Sequence, residues 1–448
     1  MNLLKRSELP ATLLKPAIMK MQLTMTHLTK TGLLWMFTLL VYVSLALSAM
    51  AQTTGFERLP QLATMQQAGL LVLDNQNQPV MSKNAHQAFV PASTTKLLTA
   101  YLALLHWGDE HRFKTDFFIK TDQQSTVLWI KGYGDPFLVS EELKVIAQKI
   151  SGLLAQRGLK EITDIRLDAS YFEHALNLPG TSETDNPYDA VPSALATNFN
   201  TLYLYNQAGK VYSAETQTPM TPLAHELGQN VSSTKTRVNT GADATLSQRY
   251  FAELLAAFLR QQGVSVSERI EWKKLPGEAA VADYQHLNSR TLLEMIRPMM
   301  TYSTNFIANQ LALMMAADVY GAPVNAKKVK QLYRTQLAHY FDWNTAVIEE
   351  GAGLSRNNRL SPQQLTQLLQ AFKPWQALLP EVAPGVVAKT GTLLGVSTLA
   401  GYIQKNQDWL PFALMINQDV PSDYRNLVVR QLRLELNQAE PPLKQTND

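Results

Sequence analysis

The sequence predicts an α+β fold built on an antiparallel sheet, and three observations support this prediction. A stretch that begins near Ser93 and ends at Gly108 is apolar on nearly every side, which is typical of a helix buried in the centre of a domain. Strand-like runs at 385–392, 396–404 and 412–418 follow one another closely, as the strands of a meander do. The segment 109–284 between these two regions is rich in short strand patterns. With 448 residues, 46% of them hydrophobic, the chain is long enough for a large core and for more than one domain.

The other predicted elements each have a local signal in the sequence. Apolar runs between polar turns predict strands at 69–73, 79–81, 117–119, 127–131 and 162–167. Apolar residues at helical spacing predict helices at 141–156, 248–262, 304–319, 326–340, 361–372 and 421–437. The helical pattern at 290–297 is followed by Pro298, and we expect that helix to end there because proline lacks the amide hydrogen.

The composition excludes several classes of function. The chain has no cysteine, which rules out disulfides, thiolate zinc sites and cysteine nucleophiles. Its net charge of +3 is mild, and no basic block with interleaved aromatics suggests nucleic acid. No set of His, Asp and Glu has metal-ligand spacing, and no glycine-rich nucleotide loop is present, so we expect neither metal nor cofactor.

The N-terminus has the pattern of an export signal. Lys30 precedes an apolar run at 33–47, and Ala49-Met50-Ala51 fits a signal-peptidase site. We predict a signal peptide over 1–51, cleaved after Ala51, and a periplasmic mature protein. An uncleaved membrane anchor and a loose membrane association stay open as alternatives. The stretch before the apolar run is long for a signal peptide, so translation could begin later, at Met19, Met21 or Met25.

The start of the buried helix carries the motif Ser93-x-x-Lys96. Residues three apart share a helix face, so the lysine amine can lie beside the serine hydroxyl. The structural alternative is a serine N-cap with a lysine that reaches solvent. A matching pattern at Ser232 and Lys235 has no apolar helix behind it. The motif is therefore weak by itself and gains weight only from the motifs that follow.

Two further motifs follow in order, Ser303-Thr304-Asn305 in a break between helices and Lys389-Thr390-Gly391 on a strand. In acyl transfer to serine, Ser93 would be the nucleophile and Lys96 the base that takes its proton. A lysine does this only as a free amine, which burial and a second nearby cation favour. Lys389, expected on an exposed strand edge, could supply that cation.

The remaining residues of these motifs would complete the reaction. Ser303 can pass a proton to the leaving amine, and Asn305 can bond Lys96 and the substrate amide. The backbone amides of Ser93 and Thr392 form the expected oxyanion pair. The strand motif also matches at 30–32 and the middle motif at 355–357. The assignment of the three motifs therefore depends on their order and on their structural context.

This set of motifs resembles the serine penicillin-binding enzymes, and in particular the class C low-molecular-mass D-alanyl-D-alanine carboxypeptidase/endopeptidases. The resemblance covers most of the mature chain. It rests on the segments 91–96, 134–136, 192–195, 351–356 and 389–393. It implies a penicillin-binding transpeptidase-like domain, with an antiparallel sheet packed between helices, that a strand-rich insertion interrupts. The implied segments are 52–108, an inserted mainly β region at 109–284, and 285–448.

The resemblance implies that the substrate is bound by the strand motif, with residues Lys389, Thr390, Gly391 and Thr392. Arg356 lies in a loop after acidic and glycine residues, and it either binds a substrate carboxylate as a bidentate fork or has a structural role. The middle motif departs from the family pattern, since Thr304 stands where an acidic residue is usual.

We therefore predict a serine D-alanyl-D-alanine carboxypeptidase/endopeptidase that acts on peptidoglycan stem peptides and cross-links and is acylated by β-lactams. Two alternatives stay open. A β-lactamase would share the acylation chemistry, but no Glu-x-x-Leu-Asn element is placed to activate water. A non-catalytic scaffold would hold peptidoglycan without turnover. The sequence leaves the oligomeric state and the balance of carboxypeptidase and endopeptidase action undecided.

Overall fold

The computed structural model describes residues 59–277 and 281–438. Its helices are α1 (Pro60–Thr64), α2 (Thr95–Trp107), α3 (Ser140–Gln156), α4 (Pro222–Gly228), α5 (Ala244–Gln261), α6 (Leu292–Tyr302), α7 (Asn305–Tyr320), α8 (Ala326–Phe341), α9 (Pro362–Phe372) and α10 (Tyr424–Gln438). Its strands are β1 (Ala68–Leu73), β2 (Pro79–Lys83), β3 (Lys114–Thr121), β4 (Thr126–Gly132), β5 (Glu161–Ile162), β6 (Asp164–Asp168), β7 (Thr201–Gln207), β8 (Lys210–Ser213), β9 (Thr236–Asn239), β10 (Ser265–Val266), β11 (Ile270–Trp272), β12 (Tyr284–Leu287), β13 (Glu381–Ala383), β14 (Val386–Leu393), β15 (Val396–Lys405) and β16 (Asp408–Ile416).

A six-stranded antiparallel sheet joins the two ends of the described chain. Its order is β13-β14-β15-β16-β1-β2, so the predicted C-terminal meander continues into the N-terminal hairpin. The junction is the pairing of β1 with β16, in which Ala68 lies opposite Ile416 and Val72 opposite Phe412. Every residue of β1 is buried, since β16 and β2 flank the strand and α9 packs against it. The α+β prediction is confirmed.

Helix α2 lies in the centre of the larger hydrophobic core. All of its residues from Thr95 to Leu104 are buried, as its apolar sequence predicts. It packs against α6, α7 and α9, and α9 in turn packs against β1, β15 and β16 of the sheet. The methionine-rich α7 is also core, since its residues from Phe306 to Ala317 are buried.

The segment between α2 and α6 forms separate sheets around a second core. The largest has the order β11-β6-β4-β3-β12, and β8-β7-β9 and β10-β5 form smaller ones. Helices α3 and α5 pack against each other and supply much of the apolar interior of this part. The last strand of the five-stranded sheet, β12, extends past residue 284 to Leu287. The segment boundaries remain a prediction.

The expectation that a helix ends at Pro298 is wrong. Helix α6 runs through Pro298 to Tyr302. The proline removes only the bond to the carbonyl of Glu294, and Glu294 is exposed, so that carbonyl lies on the solvent side of the helix. Four buried side chains hold the helix on both sides of the proline: Met295, Ile296, Met299 and Met300.

Within residues 59–277 and 281–438, no helix has both the length and the hydropathy that a membrane crossing requires. The predicted signal peptide at 1–51 and the alternative membrane anchor lie outside the described residues.

Candidate active site

Ser93 lies in a short turn that leads into the buried helix. Ala92–Thr94 forms a 3-10 turn, and α2 begins immediately after it at Thr95. This turn brings Ser93 Oγ to 3.0 Å from Lys96 Nζ. Lys96 is fully buried with 0% exposure, so it does not reach solvent as the structural alternative required. The predicted contact between hydroxyl and amine is present.

The other neighbours of Lys96 direct its amine toward Ser93. Nζ donates to Asn305 Oδ1 at 2.7 Å and to the Ala352 carbonyl at 2.7 Å. A neutral amine has two N–H bonds, and these two oxygens take up both of them. Its lone pair is then left for Ser93 Oγ. The geometry is that of a base beside its nucleophile.

The surroundings also favour the neutral amine. Burial lowers the pKa of Lys96 well below its ordinary value, and the positive charge of Lys389 lowers it further. The carboxylate of Glu350 opposes these two effects and raises the pKa of Lys96. Burial is the largest of these causes, so the balance of the three favours the neutral amine that a base requires.

The middle motif occupies the break between α6 and α7. Ser303 closes α6 in a left-handed conformation, with φ of 57° and ψ of 37°. Asn305 is the first residue of α7, and its Nδ2 donates to the Tyr188 carbonyl at 3.0 Å. This bond fixes the orientation of the amide, so Oδ1 points to Lys96. Thr304 makes no side-chain cap bond.

Lys389 is the second amine of the site, and it is buried rather than exposed as expected. Only 1% of it is accessible, although it lies on the predicted strand β14. The reason is that its amine turns inward, where Nζ donates to Ser303 Oγ at 2.9 Å and to the Thr390 carbonyl at 2.9 Å. Burial and the nearby positive charge of Arg425 lower the pKa of Lys389 to about 7.

Strand β14 passes directly beside the turn that holds Ser93. A Cβ added at Gly391 would lie 2.2 Å from Thr398 Oγ1 and 3.0 Å from the backbone nitrogen of Ser93. The Thr398 hydroxyl donates to the Pro91 carbonyl at 2.8 Å, which ties β15 to the same turn. Only glycine allows this approach. The structure thus brings the strand motif and the Ser93 amide together, as the oxyanion prediction needs.

A loop that follows α8 supports Lys96, a role that the sequence did not predict. Glu350 is fully buried, and its carboxylate accepts hydrogen bonds from the backbone nitrogens of Ala352 and Gly353, each at 2.8 Å. Asn358 Nδ2 donates to the same carboxylate at 2.9 Å. The loop therefore has a fixed shape, and the Ala352 carbonyl meets Lys96. The sequence signal for this role was the acidic residue Glu350 before Gly351 and Gly353.

Arg356 lies at the rim of the strand. Its Nη2 donates to the Leu394 carbonyl at 2.6 Å, in the turn between β14 and β15, and the side chain is exposed. One guanidinium nitrogen is thus used structurally. Its proposed contact with a substrate carboxylate stays a prediction.

A cavity of about 690 Å³ opens beside the middle motif. Ser303, Thr304 and Asn305 form one wall, and Tyr188 and Phe199 contribute aromatic surface from the segment between α2 and α6. It is large enough for several residues of a peptide. In the described part of the chain, no group of His, Cys, Asp and Glu could hold a metal ion.

The chain is similar in sequence to known carboxypeptidases. The sequence model of the D-Ala-D-Ala carboxypeptidase 3 (S13) family matches residues 54–381 and 379–434. D-alanyl-D-alanine carboxypeptidase DacB of Haemophilus influenzae is 24% identical over 393 residues, which are 73% of this chain and 80% of that protein. The D-alanyl-D-alanine carboxypeptidase of Actinomadura sp. (strain R39) is 25% identical over 428 residues, which are 78% of this chain and 77% of that protein.

The fold is also similar to a solved structure. The crystal structure of penicillin binding protein 4 (dacB) from Haemophilus influenzae gives a TM-score of 0.67 at 21% identity, covering 83% of this chain and 96% of that chain. The same protein complexed with a β-lactam gives a TM-score of 0.62. The predicted transpeptidase-like fold is thereby confirmed, and the family model covers most of the chain. The chain belongs to the D-Ala-D-Ala carboxypeptidase 3 (S13) family, which confirms the predicted enzyme class, a serine DD-peptidase.

Proposed function

We propose that this chain hydrolyses peptides ending in D-Ala-D-Ala, including peptidoglycan stem peptides, through an acyl-enzyme on Ser93. The observation that carries the proposal is the environment of Lys96, whose buried amine gives its two hydrogens to Asn305 and Ala352 and faces Ser93 Oγ. We infer that Lys96 takes the Ser93 proton as Oγ attacks the carbonyl carbon between the two D-alanines.

The remaining residues stabilise the charge and transfer the proton. The oxyanion of the tetrahedral intermediate accepts hydrogen bonds from the Ser93 and Thr392 amides. Ser303 passes a proton from Lys96 to the leaving nitrogen, and the C–N bond breaks to release D-alanine. Lys389, which donates to Ser303 Oγ, orients this hydroxyl. Water then hydrolyses the Ser93 ester, with Lys96 again as the base.

The substrate carboxylate is proposed to bind at β14. Lys389 contributes positive charge there, and the Thr390 and Thr392 hydroxyls can donate hydrogen bonds. Arg356 at the rim is a further candidate for an anionic group of the substrate. The cavity beside Ser303 leaves room for the peptide beyond its terminal D-alanines, so both a free stem peptide and a cross-link can be accommodated.

The relatives support β-lactams as inhibitors, since one similar structure is a penicillin-binding protein solved with a β-lactam. A β-lactam presents a strained amide to the same nucleophile and leaves Ser93 acylated. We also infer a periplasmic location, because the proposed substrate is outside the cytoplasm and the sequence predicts an export signal.

Penicillin labelling followed by mass spectrometry tests the proposal. The wild-type protein should gain one penicillin mass on the peptide that contains Ser93, and Ser93→Ala should gain none. Ser232→Ala is the matched control, because Ser232 belongs to the same motif in an exposed segment and should not affect labelling. Labelling that persists in Ser93→Ala would refute the assignment.

Two further assays separate the alternative functions. D-alanine release from a pentapeptide supports the peptidase, and its absence in folded, penicillin-labelled protein supports the scaffold. Rapid turnover of nitrocefin, instead of stoichiometric acylation, would support a β-lactamase.

A further inference from the structure

Arg425 lies against the strand motif and belongs to the last helix of the described chain. It is in the first turn of α10, and it is partly exposed. Its Nη1 donates to the Gly391 carbonyl at 2.8 Å and to Thr392 Oγ1 at 2.6 Å. Both acceptors belong to the strand that we propose binds the substrate carboxylate.

Arg425 has no anionic partner among the described residues. Other arginines of the chain, such as Arg237 and Arg249, are paired with carboxylates. Arg425 forms no such ion pair, and its Nε is buried without a hydrogen-bond partner. A partly buried guanidinium without a counter-ion is unfavourable, and its planar donors match a carboxylate.

The bond to Thr392 also orients the threonine hydroxyl. Because Thr392 Oγ1 accepts the hydrogen of Arg425, its own hydrogen is directed away from the arginine. Thr392 is exposed, so that hydrogen is available to an acceptor in the cleft. Arg425 thus both supplies charge and holds a neutral donor.

The second cation at this strand also lacks a counter-ion. Lys389 bonds only a hydroxyl and a carbonyl among the described residues, and the one charged group that acts on its pKa is Arg425, which lowers it. Lys389 on β14 and Arg425 on α10 thus lie at the same strand, neither with a carboxylate partner among the described residues, and they form a positive site. An anionic ligand group would neutralise it.

We propose that Arg425 is a specificity-determining residue that selects ligands with a free carboxylate at the strand motif, by binding that carboxylate together with Thr392. The inference rests on the proposed function, because it assumes that the ligand reacts with Ser93. It extends the predicted motif by a residue that lies outside all three sequence patterns.

Benzylpenicillin and its methyl ester test this role, since they differ only in the carboxylate. Acylation rates are measured by intact-protein mass spectrometry on wild type, Arg425→Gln, Arg425→Lys and Arg430→Gln. Arg430 is exposed on the same helix and serves as the matched control. We expect Arg425→Gln to slow acylation by the acid about 10- to 100-fold, as loss of a charge-assisted hydrogen bond does, and to change the rate with the ester less than about twofold.

The other variants make the result specific. Arg425→Lys should retain part of the preference for the acid, and Arg430→Gln should behave as wild type. Equal losses with acid and ester would show a merely structural role and overturn the inference. The inference would also be overturned if the wild-type protein reacted equally fast with benzylpenicillin and with its methyl ester. A wild type that forms no adduct with benzylpenicillin would instead refute the proposed function itself.

Discussion

Gly353 is the position where a single methyl group should disable the site from outside the three motifs. It has a φ of +87°, and a Cβ there would lie 1.9 Å from the Ala92 carbonyl oxygen and 2.4 Å from the Ala92 carbonyl carbon. Ala92 begins the turn that carries Ser93. The preceding residue, Ala352, supplies the carbonyl that holds Lys96. The change Gly353→Ala therefore pushes the nucleophile and the support of its base apart.

The structure gives the size of the effect. Real Cβ atoms do not approach closer than 3.0 Å, so the loop or the turn must move by about 1 Å. A displacement of about 1 Å at a reacting group costs on the order of 100-fold in rate. The left-handed conformation adds about 1–2 kcal/mol of strain for alanine, which lowers stability. We expect Gly353→Ala to lower the rate of acylation by benzylpenicillin about 100-fold.

Gly263→Ala is the matched control for this variant. Gly263 has a nearly equal φ of +82°, but a Cβ there would meet nothing within 4 Å. It should therefore lose a similar amount of stability to strain and keep its acylation rate. Acylation is followed by mass spectrometry and stability by denaturant unfolding. If Gly353→Ala acylates at more than half of the wild-type rate, the reasoning about the loop is refuted.

Three further predictions concern Lys389 and Glu350. The acylation rate of wild type should fall as the pH rises through about 7, because Lys389 has a pKa of about 7 and then loses its proton. In Arg425→Gln this fall should move to higher pH, since the charge of Arg425 lowers the pKa of Lys389. A pH profile without an alkaline fall would contradict the role of Lys389. In Glu350→Gln, loss of a charge that raises the pKa of Lys96 should shift the acidic limb of the profile to lower pH. The same variant places an NH2 group where Glu350 Oε2 now accepts the Ala352 N–H. The Ala352 N–H is then a buried donor without an acceptor, which should lower the free energy of unfolding by about 1–3 kcal/mol. Unchanged stability would argue against the buried carboxylate as the support of the loop.

The sequence predicted those features whose physical cause lies in neighbouring residues of the chain. The N-cap Ser361 with Pro362 at the next position predicts the start of α9, and the structure has the full capping box there with Gln364. The apolar run after Ser93 predicts a buried helix, whereas no apolar run follows the matching pattern at Ser232 and Lys235. The approach of Lys96 to Ser93 follows from their short spacing, because the 3-10 turn Ala92–Thr94 continues directly into α2 and keeps residues three apart on one side.

The sequence misled where neighbours elsewhere in the fold decide. Pro298 predicts a helix end, but tertiary packing of the methionines around it keeps α6 helical. Lys389 was expected on an exposed edge, yet the Ser303 hydroxyl draws its amine inward. Arg425 and Glu350 carry no motif at all, and only their contacts with β14 and with the loop beside Lys96 reveal them.

By itself, the sequence determined the α+β class, the family and the order of the three motifs, because these depend on residue type, periodicity and short spacing. The tertiary structure alone decided that Lys96 has two carbonyl partners, that Glu350 shapes the loop supplying one of them, and that Arg425 lies beside the strand motif. The physical reason is distance along the chain: the two oxygens that bond Lys96 lie 209 and 256 residues away in sequence, and Arg425 lies 34 residues beyond Gly391. Packing of the helices on the sheet brings these groups within hydrogen-bond reach.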